Sequence, residues 1–308
     1  MQFYLPIAEM SVNVLMLLGV SAAVGFVAGM FGVGGGFLLT PFLIFMGIPS
    51  PVAVATSAAQ IAASSVTGAM TSWRRGALDQ KLGLILVSGG LVGTWLGILF
   101  FNAMRRLGQL DLIISLSYIA LLVGIGGFML FESIRALLDA RRGTARNARP
   151  AGSHRWFETL PLRVRFTQSG IYVSVLPFLA AGLVFGFIGA VLGIGGGFML
   201  VPALIYIFRI PVHVVVGTSQ FQILCTMLVA TLMHAASSGT VDIVLALVLI
   251  VGGVIGAQMG ARAAARLDAD QFRLLLALLI LAVGARFAAE IVIRPIDAFS
   301  VVRVDTRA

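Results

Sequence analysis

The sequence predicts an all-α membrane protein, a polytopic helix bundle of two homologous repeats with about eight spans and two short or re-entrant helices. Three observations favour this class. Hydrophobic residues make up 59% of the 308-residue chain and charged residues only 11%, whereas a soluble domain carries about 25% charged residues. Long stretches carry no formal charge, from residue 10 to 73 and from 166 to 208. A glycine-rich motif also occurs twice in equivalent surroundings.

The glycine-rich motif reads GVGGGFLLTP from Gly32 and GIGGGFMLVP from Gly193, 161 positions later. A second match follows after one inserted residue, with TSAAQ from Thr56 and TSQFQ from Thr218. Self-similarity at a fixed offset indicates a repeated structural unit. We therefore divide the chain into a first transmembrane repeat (1–132), a basic cytoplasmic linker (133–169) and a second transmembrane repeat (170–308).

Four spans are predicted in the first repeat, over residues 11–31, 52–73, 82–104 and 112–131. The glycine run 32–36 interrupts the chain after the first span. The apolar segment 37–47 that follows is too short to cross at about 1.5 Å per residue. Ser and Thr are frequent in 52–73, so this helix should face protein or water. We expect the fourth helix to continue past the membrane through Asp139.

The second repeat follows the same order. Its predicted spans cover residues 171–192, 212–236, 243–261 and 272–293, with a short segment at 198–208. Each repeat thus has a helix that is broken by glycines and followed by a short apolar segment. Whether the short segments cross the membrane or turn back into it stays open at this point.

Basic residues are concentrated in the connections between spans. The linker holds the densest group, and the net charge of the chain is +9. Loops rich in Arg and Lys stay on the cytoplasmic side, so we expect a cytoplasmic linker and no nucleic-acid binding. The first-half loop with Arg74 and Lys81 is basic, and so is the second-half connection with Arg262 and Arg266, which comes one loop later. This alternation favours inverted repeats over parallel ones.

The residue types indicate neither a metal centre nor a nucleophilic enzyme site. Cys225 is the one cysteine, and the three histidines are scattered without metal-ligand spacing. We expect no catalytic residues, no metal and no cofactor. Arg286 and Glu290 are spaced i, i+4 near the end of the last span, where pairing or snorkelling accounts for them.

The two glycine runs are the predicted binding site. Broken helices at matching positions of two repeats point to the substrate site of a transporter. A glycine run exposes backbone N–H groups, and the helix that begins after it presents a positive dipole end, which attracts anions. Hydroxyl and amide groups of the neighbouring polar helices add neutral donors. The predicted substrate-binding residues are Gly34, Gly35, Gly36, Phe37, Thr56, Ser57, Gln60, Gly195, Gly196, Gly197, Phe198, Thr218, Ser219 and Gln222.

The same residues also have simpler interpretations. A glycine-rich stretch in a membrane helix is more often a packing surface than a site. Ser and Thr in such helices often bond back to their own carbonyls. A nucleotide-binding glycine loop fits poorly, because no soluble strand–turn–helix unit surrounds the motif. The occurrence of both features together, in both repeats and in register, favours a binding site.

The paired motifs also carry a family resemblance. GVGGGFLLTP with TSAAQ, GIGGGFMLVP with TSQFQ, and the loops 73–79 and 234–242 resemble the TauE/SafE family of sulfite exporters. The resemblance covers both halves of the chain. It implies movement of sulfite, sulfoacetate and related sulfonates or organic acids across a bacterial cytoplasmic (inner) membrane.

Two functions of different classes are compatible with these patterns. One is a secondary transporter, an exporter or a gradient-coupled carrier, whose small anionic substrate binds between the repeats and whose coupling ion is a proton or sodium. The other is a membrane-embedded enzyme, or an assembly or scaffold protein without transport activity. In both, the lipid bilayer surrounds the apolar surface. An enzyme would need a metal cluster or an activated nucleophile, and a scaffold a large structured loop, so we favour transport.

Overall fold

A computed structural model describes residues 2–31, 36–141, 163–166, 171–208, 210, 212–263, 278, 280–287 and 289. The first half contains β1 (Gln2–Leu5), β2 (Met10–Asn13), α1 (Val14–Phe31), α2 (Gly36–Phe45), α3 (Ser50–Arg74), α4 (Gln80–Arg106) and α5 (Leu110–Arg141). The second half contains β3 (Arg163–Phe166), β4 (Ile171–Ser174), α6 (Leu176–Leu192), α7 (Gly197–Pro202), a π-helical turn (Ala203–Ile207), α8 (Val212–Ser237) and α9 (Ile243–Ala263). A further helix, α10, covers residues 280–287.

The predicted all-α membrane bundle is confirmed. In the described part of the chain, five helices are long and apolar enough to cross a bilayer: α3, α4, α5, α8 and α9. α1 and α6 have 18 and 17 residues, which at about 1.5 Å per residue gives roughly 26 Å. Helix α5 runs to Arg141, as expected from the sequence. The protein is therefore an integral membrane protein.

Two short β-hairpins, β1–β2 and β3–β4, were not predicted. They shorten the first span of each half, which begins at Val14 instead of residue 11 and at Leu176 instead of residue 171. Each start is fixed by a polar side chain just before the helix. Asn13 Oδ1 accepts from Leu15 N–H at 3.0 Å, and Ser174 Oγ accepts from Leu176 N–H at 3.3 Å. Asn13 directly precedes its helix, where Asn is favoured because it satisfies a free N–H of the first turn, whereas Ser174 lies one residue before the N-cap residue Val175.

The tightest helix pairs join the two halves. α1 packs along α9, and α4 packs along α6, through rows of glycines that allow backbone-to-backbone contact. Gly25 lies against Gly253, and Gly186 lies against Gly90. In both pairs the contacting residue numbers rise together, so the paired helices run parallel. Each half of the chain therefore contributes one helix to the packing of the other half.

The two polar helices, α3 and α8, run antiparallel to each other. A Cβ at Gly217 near the start of α8 would lie 2.7 Å from Ser72 Cβ near the end of α3. Four residues earlier on α3, a Cβ at Gly68 would lie 3.0 Å from Gln220 Cδ. The α3–α4 loop consequently lies beside the start of α8, and the α8–α9 loop lies beside the start of α3.

The short segments turn back towards the side from which their preceding helix came. Phe208, just after the π-helical turn, packs its ring 4.5 Å from the ring of Phe178, near the start of α6. Gly47, just after α2, lies beside Met10, just before α1. The second turn is built by Gly193, Gly195 and Gly196, with φ angles of 67°, 75° and 69°. Only glycine adopts this left-handed region at little cost, so the glycine run makes a reversal of direction.

Candidate functional site

The two helical hairpins, α1–α2 and α6–α7, meet inside the bundle. Phe37 and Phe198 stack on each other with ring centroids 4.3 Å apart and an interplanar angle of 13°. Both rings are buried. Thr40 Oγ1 donates to the carbonyl oxygen of Gly193 at 3.2 Å. The start of α2 therefore packs beside the second glycine turn, while Gly34 and Gly35 lie outside the described residues.

The second glycine turn is inserted between α3 and α8. A Cβ at Gly195 would lie 2.9 Å from Ile61 Cγ2 and 3.2 Å from Ile223 Cγ2. A Cβ at Gly196 would lie 2.7 Å from the carbonyl oxygen of Phe185. No side chain can be added at this turn without displacing its surroundings. Close packing alone would also require these glycines. The geometry of the turn therefore agrees equally well with a packing surface and with a binding site.

The first N–H groups of α7 are partly used within the turn itself. Met199 N–H and Leu200 N–H both donate to the carbonyl oxygen of Gly196, at 3.1 and 2.8 Å. Helix α7 has only six residues before the π-helical turn begins after Pro202. Its dipole is correspondingly small. The side chains of α3 and α8 are therefore the better source of polar contacts.

Thr56 and Thr218 form reciprocal hydrogen bonds between the halves. The N–H of Asp242 donates to Thr56 Oγ1 at 3.2 Å, and the N–H of Asp79 donates to Thr218 Oγ1 at 3.3 Å. Both aspartates are buried N-cap residues. Asp79 Oδ1 accepts from Leu82 N–H in the first turn of α4, and Asp242 Oδ1 accepts the corresponding bond in α9. The two threonines thus connect α3 and α8 to the loops of the opposite half.

These two contacts lie at opposite ends of the α3–α8 pair. Thr56 is near the start of α3, whereas Thr218 lies close to the level of Ser72. The 16 residues from Thr56 to Ser72 correspond to about 24 Å at about 1.5 Å per residue. The expectation that both threonines flank one site does not match this geometry, because antiparallel helices carry equivalent residues to opposite ends. Their assignment as substrate ligands stays a prediction.

Between these ends, α3 and α8 carry buried polar atoms without a hydrogen-bond partner among the described residues. They are Ser57 Oγ, Gln60 Oε1, Ser65 Oγ and Gln222 Oε1. An unsatisfied buried polar group costs about 1–3 kcal/mol. Native proteins retain few such groups, and each one needs a reason such as a ligand or bound water. Three of the four residues belong to the site predicted from sequence; Ser65 was not included in it.

The two glutamines occupy equivalent surroundings. The Gln60 side chain lies against Gly253 of α9. Gln222 lies against α4, where a Cβ at Gly90 would be 2.9 Å from Gln222 Nε2. The glycine ridges of α4 and α9 therefore make room for both amides, as well as for the packing of α1 and α6. Ser219 bonds back to its own helix, as Ser and Thr often do in membrane helices, since its hydroxyl donates to Val216 O at 3.1 Å.

His234 is a buried polar residue that sequence reasoning did not place. Its Nε2 lies 3.2 Å from the carbonyl oxygen of Ala190, and its Nδ1 has no partner among the described residues. Phe101 packs edge-on against the imidazole with ring centroids 4.7 Å apart. The sequence did contain a signal for this residue. A histidine within an apolar span is by default a candidate functional residue, because ionisable side chains are rare inside membranes.

The predicted Arg286–Glu290 pair falls only partly within the described residues, because Glu290 lies outside them. The guanidinium carbon of Arg286 lies 5.3 Å above the ring of Phe45, which anchors α10 against α2. No group of three or more His, Cys, Asp or Glu side chains that could hold a metal ion occurs in the described ranges.

Crossed helix hairpins and an internal polar core define a polytopic membrane protein of the kind that moves solutes. Comparison with known proteins agrees. The model of the family "Sulfite exporter TauE/SafE" matches residues 17–287. The chain belongs to the TauE/SafE family of membrane transporters, as the sequence motifs predicted.

Curated relatives resemble the chain over most of its length. A "Probable membrane transporter protein YjnA" of Bacillus subtilis (strain 168) is 29% identical over 280 residues, covering 90% of this chain and 99% of the relative. A "Probable membrane transporter protein" of Xylella fastidiosa (strain 9a5c) is 28% identical, covering 84% and 88%. YunE of B. subtilis, which has the same description, is 25% identical, covering 91% and 98%. No solved structure matches the chain significantly.

Proposed function

We propose that the protein is a secondary transporter of small oxyanions, such as sulfite, sulfoacetate or related sulfonates and organic acids. The observation that supports it best is the set of buried, unbonded polar atoms of Ser57, Gln60 and Gln222. These atoms lie on α3 and α8, where the neighbouring Ile61 and Ile223 contact the glycine turn and the two amides face α9 and α4. The amide oxygens are acceptors, so a protonated oxyanion such as hydrogensulfite, or water bound with the anion, would supply their missing hydrogen bonds, while the serine O–H and the amide N–H groups donate to the anion.

Neutral donors suit a substrate that must be released again. A serine hydroxyl offers one O–H donor and a glutamine amide offers two N–H donors, and a hydrogen bond to a charged group contributes about 1.5–3 kcal/mol. Ser57 and Gln60, one turn apart on α3, offer such bonds to one oxyanion with moderate affinity, and Gln222 offers them separately beside α4. A buried arginine would hold the same anion more strongly, because its bidentate bonds to an oxyanion are charge-assisted.

The family description supports the anionic substrate class. The family model is described as a sulfite exporter, whereas the names of the relatives specify a membrane transporter without a substrate. The coupling ion that we propose is a proton or sodium, moved down its gradient. An enzyme or scaffold in the same membrane would not require unbonded polar atoms beside a glycine turn.

Anion-dependent thermal stability of the purified protein tests this function. A ligand that binds the folded state stabilises it by RT ln(1 + [L]/Kd), about 2.7 kcal/mol at a hundredfold excess over Kd. We expect sulfite or sulfoacetate to raise the melting temperature in a saturable way, and sodium chloride at equal ionic strength to leave it unchanged. Identical effects of all anions at equal ionic strength would contradict an anion site.

A further inference from the structure

A cavity of about 210 Å³ with several polar side chains in its wall opens between α1, α3, α8 and α9. It lies apart from the unbonded core atoms, towards the end of the bundle where α3 finishes. Its polar walls come mostly from α3, with one amide each from α8 and α9. The polar lining residues are Ser64, Thr67, Thr71, Ser72, Arg75, Gln220 and Gln258. Ala28 and Gly29, just before the first glycine run, form part of the wall.

The cavity is electropositive. Arg75 is the one formally charged residue among its described lining residues, and no carboxylate faces it there. It also opens at the more basic end of the bundle. Arg74 and Arg75 end α3, and Arg262 lies in the last turn of α9. Because basic loops face the cytoplasm, this is the cytoplasmic end.

One face of α3 carries polar residues from the cavity towards the core. Thr71, Thr67, Ser64 and Gln60 are spaced so that each lies one helical turn from the next. Gln60 carries one of the unbonded oxygens described above. A row of polar residues on α3 therefore leads from the cavity, which Arg75 lines, to Gln60 beside Gly253 of α9.

From this placement we infer that the cavity is the cytoplasmic binding vestibule of the transporter and that Arg75 captures its oxyanion substrate. This inference rests on the proposed function and extends it to residues outside the predicted site. The size sets the substrate class. At about 30 Å³ per water molecule, the cavity holds roughly seven waters, whereas drug-sized ligands occupy about 300–1,000 Å³. A sulfite or a two-carbon sulfonate fits this volume.

The rate of thiol modification inside the cavity tests this inference without depending on transport. Thr71→Cys is introduced in a Cys225→Ser background, and the anionic 2-sulfonatoethyl methanethiosulfonate is compared with its cationic trimethylammonio analogue. We expect the anionic reagent to react about fivefold faster, relative to a free thiol, because of the nearby Arg75 charge. Arg75→Gln should remove that preference. The matched control is Arg74→Gln, since Arg74 does not line the cavity.

Protection by a substrate completes the experiment. Sulfoacetate, which does not react with the thiol reagent as sulfite would, should slow the labelling of Thr71→Cys in protein free of anionic lipid, and Arg75→Gln should abolish the protection. Protection by short-chain phosphatidylglycerol but not by sulfoacetate would assign Arg75 to a lipid headgroup and overturn the inference. Equal effects of Arg75→Gln and Arg74→Gln would also overturn it, while anion-dependent stability of the wild type would still support transport. If the anionic reagent reacts faster and sulfoacetate protects, but liposomes show no transport, the inference about the cavity is retained and the proposed function is rejected.

Discussion

At the level of single residues, Gln60 and Gln222 combine complete burial with unbonded amide oxygens. Both carbonyl ends therefore need a partner such as a ligand or bound water, because each missing bond costs about 1–3 kcal/mol. Equivalent glycines on α9 and α4 make space for the two amides. The sequence placed both residues in the predicted site by their polarity within an apolar span. It did not show which of the predicted donors were already bonded.

Replacement of Gln60 or Gln222 by Met separates binding from packing. Methionine is unbranched and fills a similar volume without an unsatisfied polar atom. We expect each variant to melt a few degrees higher than the wild type, since about 1–3 kcal/mol of unsatisfied polarity is removed. We also expect sulfite affinity to fall about 10- to 100-fold, the equivalent of one hydrogen bond to a charged ligand. If the variants are more stable but bind the anion with unchanged affinity, the two amides take no part in anion binding.

Thr56 and Thr218 support a different prediction, because each accepts the N–H of a buried aspartate in the other half. Valine keeps the shape of threonine but leaves that N–H unsatisfied. Thr56→Val and Thr218→Val should each lower the free energy of unfolding by about 1–3 kcal/mol. Serine retains the oxygen, so Thr56→Ser and Thr218→Ser should stay close to wild type. Chemical denaturation measures the difference, and a Val variant as stable as its Ser control would rule out the contact as a stabilising one.

At the level of elements, the helix order followed from the length and charge of the apolar runs, whereas the hairpin geometry did not. A glycine run indicates that a helix ends; it does not say in which direction the chain leaves. The reversal depends on three glycines with positive φ and on the return of Phe208 to Phe178. The four-residue strands β2 and β4 were not predicted, because their sequences, MSVN and IYVS, cannot be told apart from the apolar runs that come directly after them.

Gly196→Leu tests the glycine turn as an element. Its φ of 69° disfavours any side chain, and a Cβ would lie 2.7 Å from the carbonyl oxygen of Phe185. We expect lower yield, a lower melting temperature and no transport. The control is Gly124→Leu, a position on α5 where a Cβ meets nothing within 4 Å. A fully stable, active Gly196→Leu variant would show that the turn does not depend on glycine there.

At the level of the whole molecule, we propose that the two halves are inverted repeats, and the contacts between the halves support this arrangement. Equivalent helices α3 and α8 run antiparallel, and reciprocal Thr–Asp contacts close the two ends of this pair. The alternation of basic loops in the sequence pointed to the same arrangement. The sequence does not show which helix packs against which. The glycine rows of α1 and α4 would suit packing against helices of the same half equally well. Only the tertiary contacts join α1 to α9 and α4 to α6.

Thiol accessibility tests the inverted arrangement. Arg74→Cys and Ser237→Cys, each in a Cys225→Ser background, mark equivalent ends of α3 and α8. In intact cells, we expect a membrane-impermeant reagent to label Ser237→Cys and not Arg74→Cys, because the basic end faces the cytoplasm. Gly152→Cys in the linker should behave like Arg74→Cys. Labelling of both helix ends from the same side would require parallel repeats and would contradict the proposed arrangement.

Uptake of radiolabelled sulfite into liposomes tests most directly whether the buried polar core of α3 and α8 carries an anion. The measurement compares the wild type, the Gln60→Met, Gln222→Met double variant and a Ser88→Ala control, an exposed serine on α4 that bonds its own helix. We predict gradient-dependent uptake by the wild type and the control, with the folded double variant reduced to the level of protein-free liposomes. Uptake by the double variant at the wild-type rate would contradict the account.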